Sequence, residues 1–145
     1  SSDGRSLHLV HEGANTITSH DYVSADFART GEVALLPPEF SGTSAAAAIR
    51  LHPQGRFLYA SNRGHDSIAA FSLSPDERTP RPIGHFPTGG RAPRDFAIDP
   101  AGRWLVAANQ DSHCLTVFRI DSENGRLSRC GEPFDIGSPV CVLFA

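Results

Sequence analysis

Glu12 and Arg63 are the residues of this 145-residue sequence best suited to chemistry on a carbonyl group. A carboxylate held partly out of water has its proton affinity raised toward neutrality, which makes Glu12 a candidate general acid or base; a solvated loop carboxylate is the competing reading. Arg63 presents a rigid fork of donors that can grip a carboxylate or phosphate, or stabilise an oxyanion forming at an attacked carbonyl. Pairing with Asp66 or with a neighbouring element is its alternative role. Arg91 and Arg94 follow Gly89-Gly90 on one loop and suit an anionic group, although Arg94 can equally brace the fold against Asp95 or Asp99. His65 has the ionisation range of a proton shuttle, while His65-Asp66-Ser67 also reads as a turn tied by side-chain hydrogen bonds. It is no nucleophilic triad, because three adjacent residues on one short loop cannot form a linear relay. Asn62, Asn109 and Gln110 complete the candidate contacts for a ligand.

Other chemistries find little support. The net charge of −3, without a basic run, argues against nucleic acid or an anionic membrane as partner. No apolar stretch approaches the ~18 residues of a membrane span, and the N-terminus does not read as a signal peptide, so the expected compartment is the cytoplasm. Cys114, Cys130 and Cys141 are odd in number and lack a CxxC pattern, and read as small buried apolar residues. His8 and His11 lie three apart, on opposite faces of a strand, which disfavours a metal pair. Neither a metal nor a cofactor is expected.

The elements that must position these residues come from a repeat. Three segments align without gaps: SSDGRSLHLVHEGANTITSHDY from Ser1, LHPQGRFLYASNRGHDSIAAFS from Leu51, and IDPAGRWLVAANQDSHCLTVFR from Ile98. Their glycines are Gly4, Gly55 and Gly102, at intervals of 51 and 47 residues. Seven residues beyond each glycine stand His11, Asn62 and Asn109; sixteen beyond stand His20, Phe71 and Phe118. The x-Pro-x-Gly-Arg turns use proline to set φ and glycine to accept a positive φ. Alternating runs follow at Phe57–Ser61 and Trp104–Ala108, then second runs at Ser67–Leu73 and Cys114–Ile120. Last strands are expected near Pro82–Phe86 and Leu127–Phe134, and strands precede the turns at Ala45–Leu51 and Asp95–Ile98. The alanine run 45–48 is too short to nucleate a helix between Gly42 and Pro53 and reads as strand.

Four strands per period of about 50 residues is the pattern of a β-propeller blade. The expected fold is therefore all-β: one partial propeller domain over 1–145, about three four-stranded blades at roughly 1–40, 41–88 and 89–136, and a closing strand at 138–144. Strand direction alternates within a blade, so the glycine turns share one face with the turns near Pro75–Thr79 and Ser122–Gly125. The opposite face collects His11-Glu12-Gly13, Asn62 to Asp66 and Asn109-Gln110-Asp111 with the loops between blades. Open blade edges are poorly tolerated. The chain is accordingly expected either to take its missing blades from a longer parent chain or to self-associate, and to be inactive alone.

The strings Ser61-Asn62-Arg63-Gly64-His65-Asp66-Ser67-Ile68, Pro93-Arg94-Asp95-Phe96, Ala108-Asn109-Gln110 and Pro139-Val140-Cys141-Val142 resemble the propeller lactonase family, which includes 6-phosphogluconolactonases and the fungal carboxymuconate cyclases. His11 departs from the family's usual Asn, and His20 from its aromatic residue. The resemblance implies the last three blades of seven, a small-molecule lactone as substrate, functional roles for the arginine at 63 and the glutamate at 12, and no cofactor. It implies hydrolysis of a sugar lactone such as 6-phosphogluconolactone; lactone formation on a carboxylated diene and a non-catalytic binding scaffold are the competing functions.

Overall fold

The computed structural model describes residues 4–23, 26–74 and 77–145, and among these no residue is helical. Three antiparallel sheets follow one another along the chain. The first contains β1 (Ser6–His11), β2 (Thr16–Val23) and β3 (Asp26–Ala34) in that order. The second runs β4 (Ala45–Leu51), β5 (Phe57–Arg63), β6 (Ser67–Ser74) and β7 (Glu77–Pro87). The third comprises β8 (Pro93–Ile98), β9 (Trp104–Asn109) and β10 (Cys114–Ile120), with β11 (Leu127–Arg129) and β12 (Phe134–Asp135) both pairing with β10.

Local chemistry explains these elements. Gly4, Gly55 and Gly102 adopt φ of 70°, 73° and 69°, the left-handed region where a side chain is disfavoured. The Gly55 and Gly102 amides donate to the carbonyls of His52 and Asp99 at 2.7 and 2.8 Å, closing equivalent turns. At Gly102 a methyl group would also run into the His52 imidazole, whose Nε2 is bonded to the Gly102 carbonyl at 2.9 Å. Eleven residues beyond each glycine, Asn15, Asp66 and His113 repeat a second left-handed position with φ of 51°, 55° and 54°. The repeat thus extends to backbone conformations that residue identity alone leaves hidden.

The sheets stack as blades, and the core lies in the two seams between them. Along β5, Leu58 and Ala60 join Ile17 and Leu35 in the seam toward the first blade. Phe57 and Tyr59 point the other way and meet Phe96, Leu105, Ala107 and Phe118 of the third. Period-two alternation serves both seams at once, which is why β5 from Phe57 to Asn62 and β6 from Ser67 to Phe71 are buried on both faces. Tyr59 is fully buried, with its hydroxyl donating to the Gly125 carbonyl at 2.9 Å across the seam.

Three expectations need correction. The last strand of the third blade is not continuous over Leu127–Phe134; it breaks into β11 and β12 around Gly131, at φ 71°. Residues 138–144 form no strand, because no neighbouring strand exchanges hydrogen bonds with them. Instead the Ser138 amide donates to His113 Nδ1 at 3.1 Å and the Val142 amide to Asp95 Oδ2 at 2.9 Å. The cysteines are all free, but only Cys114 is buried; Cys141, on that unpaired tail, is exposed. Of the turn near Pro75–Thr79, Pro75 and Asp76 lie outside the described residues, as do Ser1, Ser2 and Asp3 of the first repeat.

Candidate active site

The innermost strands β4 and β8 pack against one another, and both are bulged at equivalent positions. In β8, Pro93 pairs with Asn109 and Asp95 with the very next residue, Ala108, so Arg94 has no opposite number. In β4 the register slips between Ala46, opposite Asn62, and Ile49, opposite Ala60. Strict alternation would send consecutive side chains to opposite faces; a bulge re-aims one of them. As a result Ala46, Ala47 and Ala48 from β4 and both Arg94 and Asp95 from β8 line a single cleft of about 520 Å³.

Glu12, at the turn after β1, and Arg63, the last residue of β5, enter the same cleft from the first seam. Arg63 Nη2 donates to Glu12 Oε1 at 2.5 Å, joining the first two blades. The Arg63 side chain is only 22% exposed whereas that of Glu12 is 71% exposed. Of the two readings the sequence left open, Glu12 follows the solvated one and not the desolvated one; it is ion-paired through one oxygen and open to water at the other. Arg63 takes its neighbouring-blade alternative and not Asp66, whose carboxylate instead accepts the amides of Gly64 and Ala92 at 3.0 and 2.8 Å.

Arg94 does not brace the fold. Asp95 is taken by Arg50 Nη2 at 2.7 Å, and Asp99 accepts the Arg103 and Trp104 amides at 2.6 Å each. Arg94 is exposed in the cleft, and among the described residues its guanidinium has neither an ion-pair nor a hydrogen-bond partner.

The other candidates are not brought to this cleft. Asn62 and Asn109 are completely buried. Asn62 Nδ2 donates to the Leu35 carbonyl at 3.0 Å, tying two blades, and Asn109 Nδ2 donates to Thr116 Oγ1 at 3.1 Å. His11, at the equivalent position of the first blade, makes the same cross-strand tie to Thr18 Oγ1 at 2.8 Å, so the histidine preserves what the asparagine does. Arg91 and Gln110 sit on the loops flanking β8 and β9, with Arg91 Nη2 donating to the Asp111 carbonyl at 3.4 Å. Sequence reasoning missed Arg50 and Asp95 as cleft residues, since only the bulge in β8 turns Asp95 inward. Proline at 93, which cannot donate to a ladder, was the available signal.

His65 follows its turn reading: Nδ1 is bonded to Ser67 Oγ at 2.6 Å, and its ring packs edge-on against Phe40 and His85. Burial, and then the neighbouring His85, hold its pKa below the ordinary 6.5. The folded chain therefore binds fewer protons here than the unfolded chain below that value, so stability falls as pH drops through it. Thermal melts from pH 7.5 to 5.5 are expected to show a shallower loss of Tm in His65→Gln than in the parent; an unchanged slope would exclude His65 as a contributor.

A family profile described as "Lactonase, 7-bladed beta-propeller" matches residues 1–144. A Bacillus subtilis protein named 6-phosphogluconolactonase is 34% identical over 139 residues, 94% of this chain and 40% of that protein. A crystal structure of a Lactobacillus plantarum protein superposes with a TM-score of 0.93 at 34% identity, covering 97% of this chain and 42% of that one. The structure of the periplasmic gluconolactonase of Pseudomonas aeruginosa gives a TM-score of 0.90 at 31% identity, covering 96% and 39%. The chain spans 40–42% of the length of the curated relatives it matches.

Proposed function

This chain belongs to the seven-bladed β-propeller lactonase family, and from that premise we propose that it carries part of the active site of a hydrolase opening an anionic sugar lactone, 6-phosphogluconolactone foremost. Further blades, from a longer parent chain or from other copies, complete the site, and the 145 residues alone are inactive. What carries the reading is the convergence on one alanine-floored cleft of Glu12, Arg63 and Arg94, the last without a partner among the described residues.

In this reaction the oxygen of water adds to the lactone carbonyl carbon. Glu12, through the carboxylate oxygen that Arg63 leaves free, accepts the proton that water loses. The carbonyl oxygen becomes an oxyanion, which the Arg63 guanidinium stabilises at the moment charge develops. The ring C–O bond then breaks, the departing ring oxygen takes from Glu12 the proton that water gave it, and an open-chain hydroxy acid leaves with Glu12 restored as carboxylate. Arg94 holds the substrate's phosphate or carboxylate without taking part in bond changes, and the alanine floor leaves room for the sugar ring.

The hydrolytic direction is favoured over lactone formation by the names of the relatives, both lactone-opening enzymes. Arg94→Ala tests the assignment. Loss of a charge-assisted contact is expected to raise KM for 6-phosphogluconolactone about 10- to 100-fold with little change in kcat. Acid release followed at constant pH reads both quantities; an unchanged KM would remove Arg94 from the site, and absence of lactone hydrolysis by the complete protein would reject the function.

A further inference from the structure

The charges in the cleft are unequally paired. It holds three guanidiniums, Arg50, Arg63 and Arg94, against two carboxylates, Glu12 and Asp95. Glu12 engages Arg63 and Asp95 engages Arg50, which leaves Arg94 as the one uncompensated cation among the described residues lining the cleft. Asp95 is firmly set for this task. It is 6% exposed, its Oδ1 accepts Arg50 Nη2 at 2.7 Å, and its Oδ2 accepts the Val142 amide at 2.9 Å.

Arg50 is held as well, with Nη1 donating to the Ile49 carbonyl at 2.9 Å and the guanidinium 5.9 Å from the centre of the Phe96 ring. It borders both this cleft and a second hollow lined by Leu51, Pro53, Ala97 and the tail from Cys141 to Phe144. Arg50, held by Asp95, thus stands in the wall shared by the two hollows, a septum between them.

We propose that Asp95 is a specificity-determining residue: by neutralising Arg50 it limits the cleft to one free positive charge and so sets how strongly the site favours a doubly charged phosphate over a singly charged or neutral lactone. The inference rests on the lactonase reading only for the identity of the molecule that bears the anion. Its physical basis is Coulombic: both partners lie at the cleft wall, where the field of an unpaired charge is less screened than in bulk water.

A structural brace and a charge selector respond differently to substitution. If the bridge only held β4 to β8, removing either partner would disturb the cleft in the same sense. If it sets charge, the two removals act in opposite senses. We therefore expect calorimetric titration of the complete protein with inorganic phosphate at low salt to show binding about fivefold tighter in Asp95→Asn, about fivefold weaker in Arg50→Met, and lost in Arg94→Ala.

Asp95→Ser carries the same expectation as Asp95→Asn should the latter not fold, and Asp95→Glu should keep the parent affinity. Shifts of the same sign in Asp95→Asn and Arg50→Met, no shift in Asp95→Asn, or no measurable phosphate binding by the parent would each overturn the proposal. The ratio of kcat/KM for phosphorylated over unphosphorylated gluconolactone should rise about fivefold in Asp95→Asn. Phosphate titrations that behave as expected in a protein without lactone turnover would reject the lactonase reading and leave the charge selector standing.

Discussion

Replacing Arg63 with alanine is expected to lower kcat/KM for the lactone about 10²- to 10³-fold, the cost of removing a preorganised donor to a developing oxyanion. The side chain suits that part because the protein has already ordered it: it is 22% exposed, bonded to Glu12 Oε1 and additionally to the Ala46 carbonyl at 3.4 Å. An arginine so held loses little freedom when charge develops beside it. The substitution also releases Glu12, so the two residues act as one unit and their losses are not additive. The Arg63→Ala/Glu12→Gln double variant is expected to be no worse than about threefold below the poorer single variant. Steady-state kinetics with a circular dichroism check of folding measures both. A loss below tenfold in Arg63→Ala, or fully multiplicative losses in the double variant, would place the chemistry elsewhere in the propeller.

Phe96→Ala is expected to destabilise the protein by about 3–5 kcal/mol, the range for emptying a fully buried aromatic site. Phe96 is 0% exposed and lies in the seam where the second blade, through Phe57 and Tyr59, meets Leu105 and Phe118 of the third. The apolar neighbours come from two separate sheets, so the hole can shrink only by moving one blade toward the other. That movement is opposed by the Tyr59–Gly125 and His52–Gly102 hydrogen bonds across the same seam. The Arg50 guanidinium rests near the same ring, so the septum of the cleft should loosen with it. Chemical denaturation gives the free energy; a loss under about 1 kcal/mol would mean that the seam collapses freely. A stability loss with unchanged phosphate affinity would separate the seam from the septum.

How much of this was legible beforehand varies by residue in a regular way. The glycine turns were, because a left-handed φ at Gly4, Gly55 and Gly102 is a property of four or five neighbouring residues. So was the strand reading of the alanine run, now β4, since flanking glycine and proline forbid a helix there. The gathering of Glu12 and Arg63 at one end followed from alternating strand direction and needed no contact information. Asn62 and Asn109 misled because a polar residue at the end of a strand can face a ligand or tie the scaffold, to the next blade at Asn62 and to the adjacent strand at Asn109, and both types look alike in one dimension. The tail misled for a related reason: an alternating apolar run has strand character, but a strand exists only with a partner.

By itself, then, the sequence determined the blade: its turns, its strand periods and the face on which its polar loops emerge, all of them consequences of interactions within a few residues or one hairpin. The family follows from the same short strings. Only the tertiary structure decided which charges meet. Glu12 finds Arg63 and Arg50 finds Asp95 across blades, and Arg94 is left without a partner among the described residues because a single bulged residue in β8 turns both it and Asp95 toward the cleft. The physical reason is that charge pairing depends on distances of a few ångströms between separate sheets. Those distances are set by how seams of Phe57, Tyr59, Phe96 and Phe118 pack and by where the ladder slips, and neither quantity is written in the spacing of the residues that carry the charge.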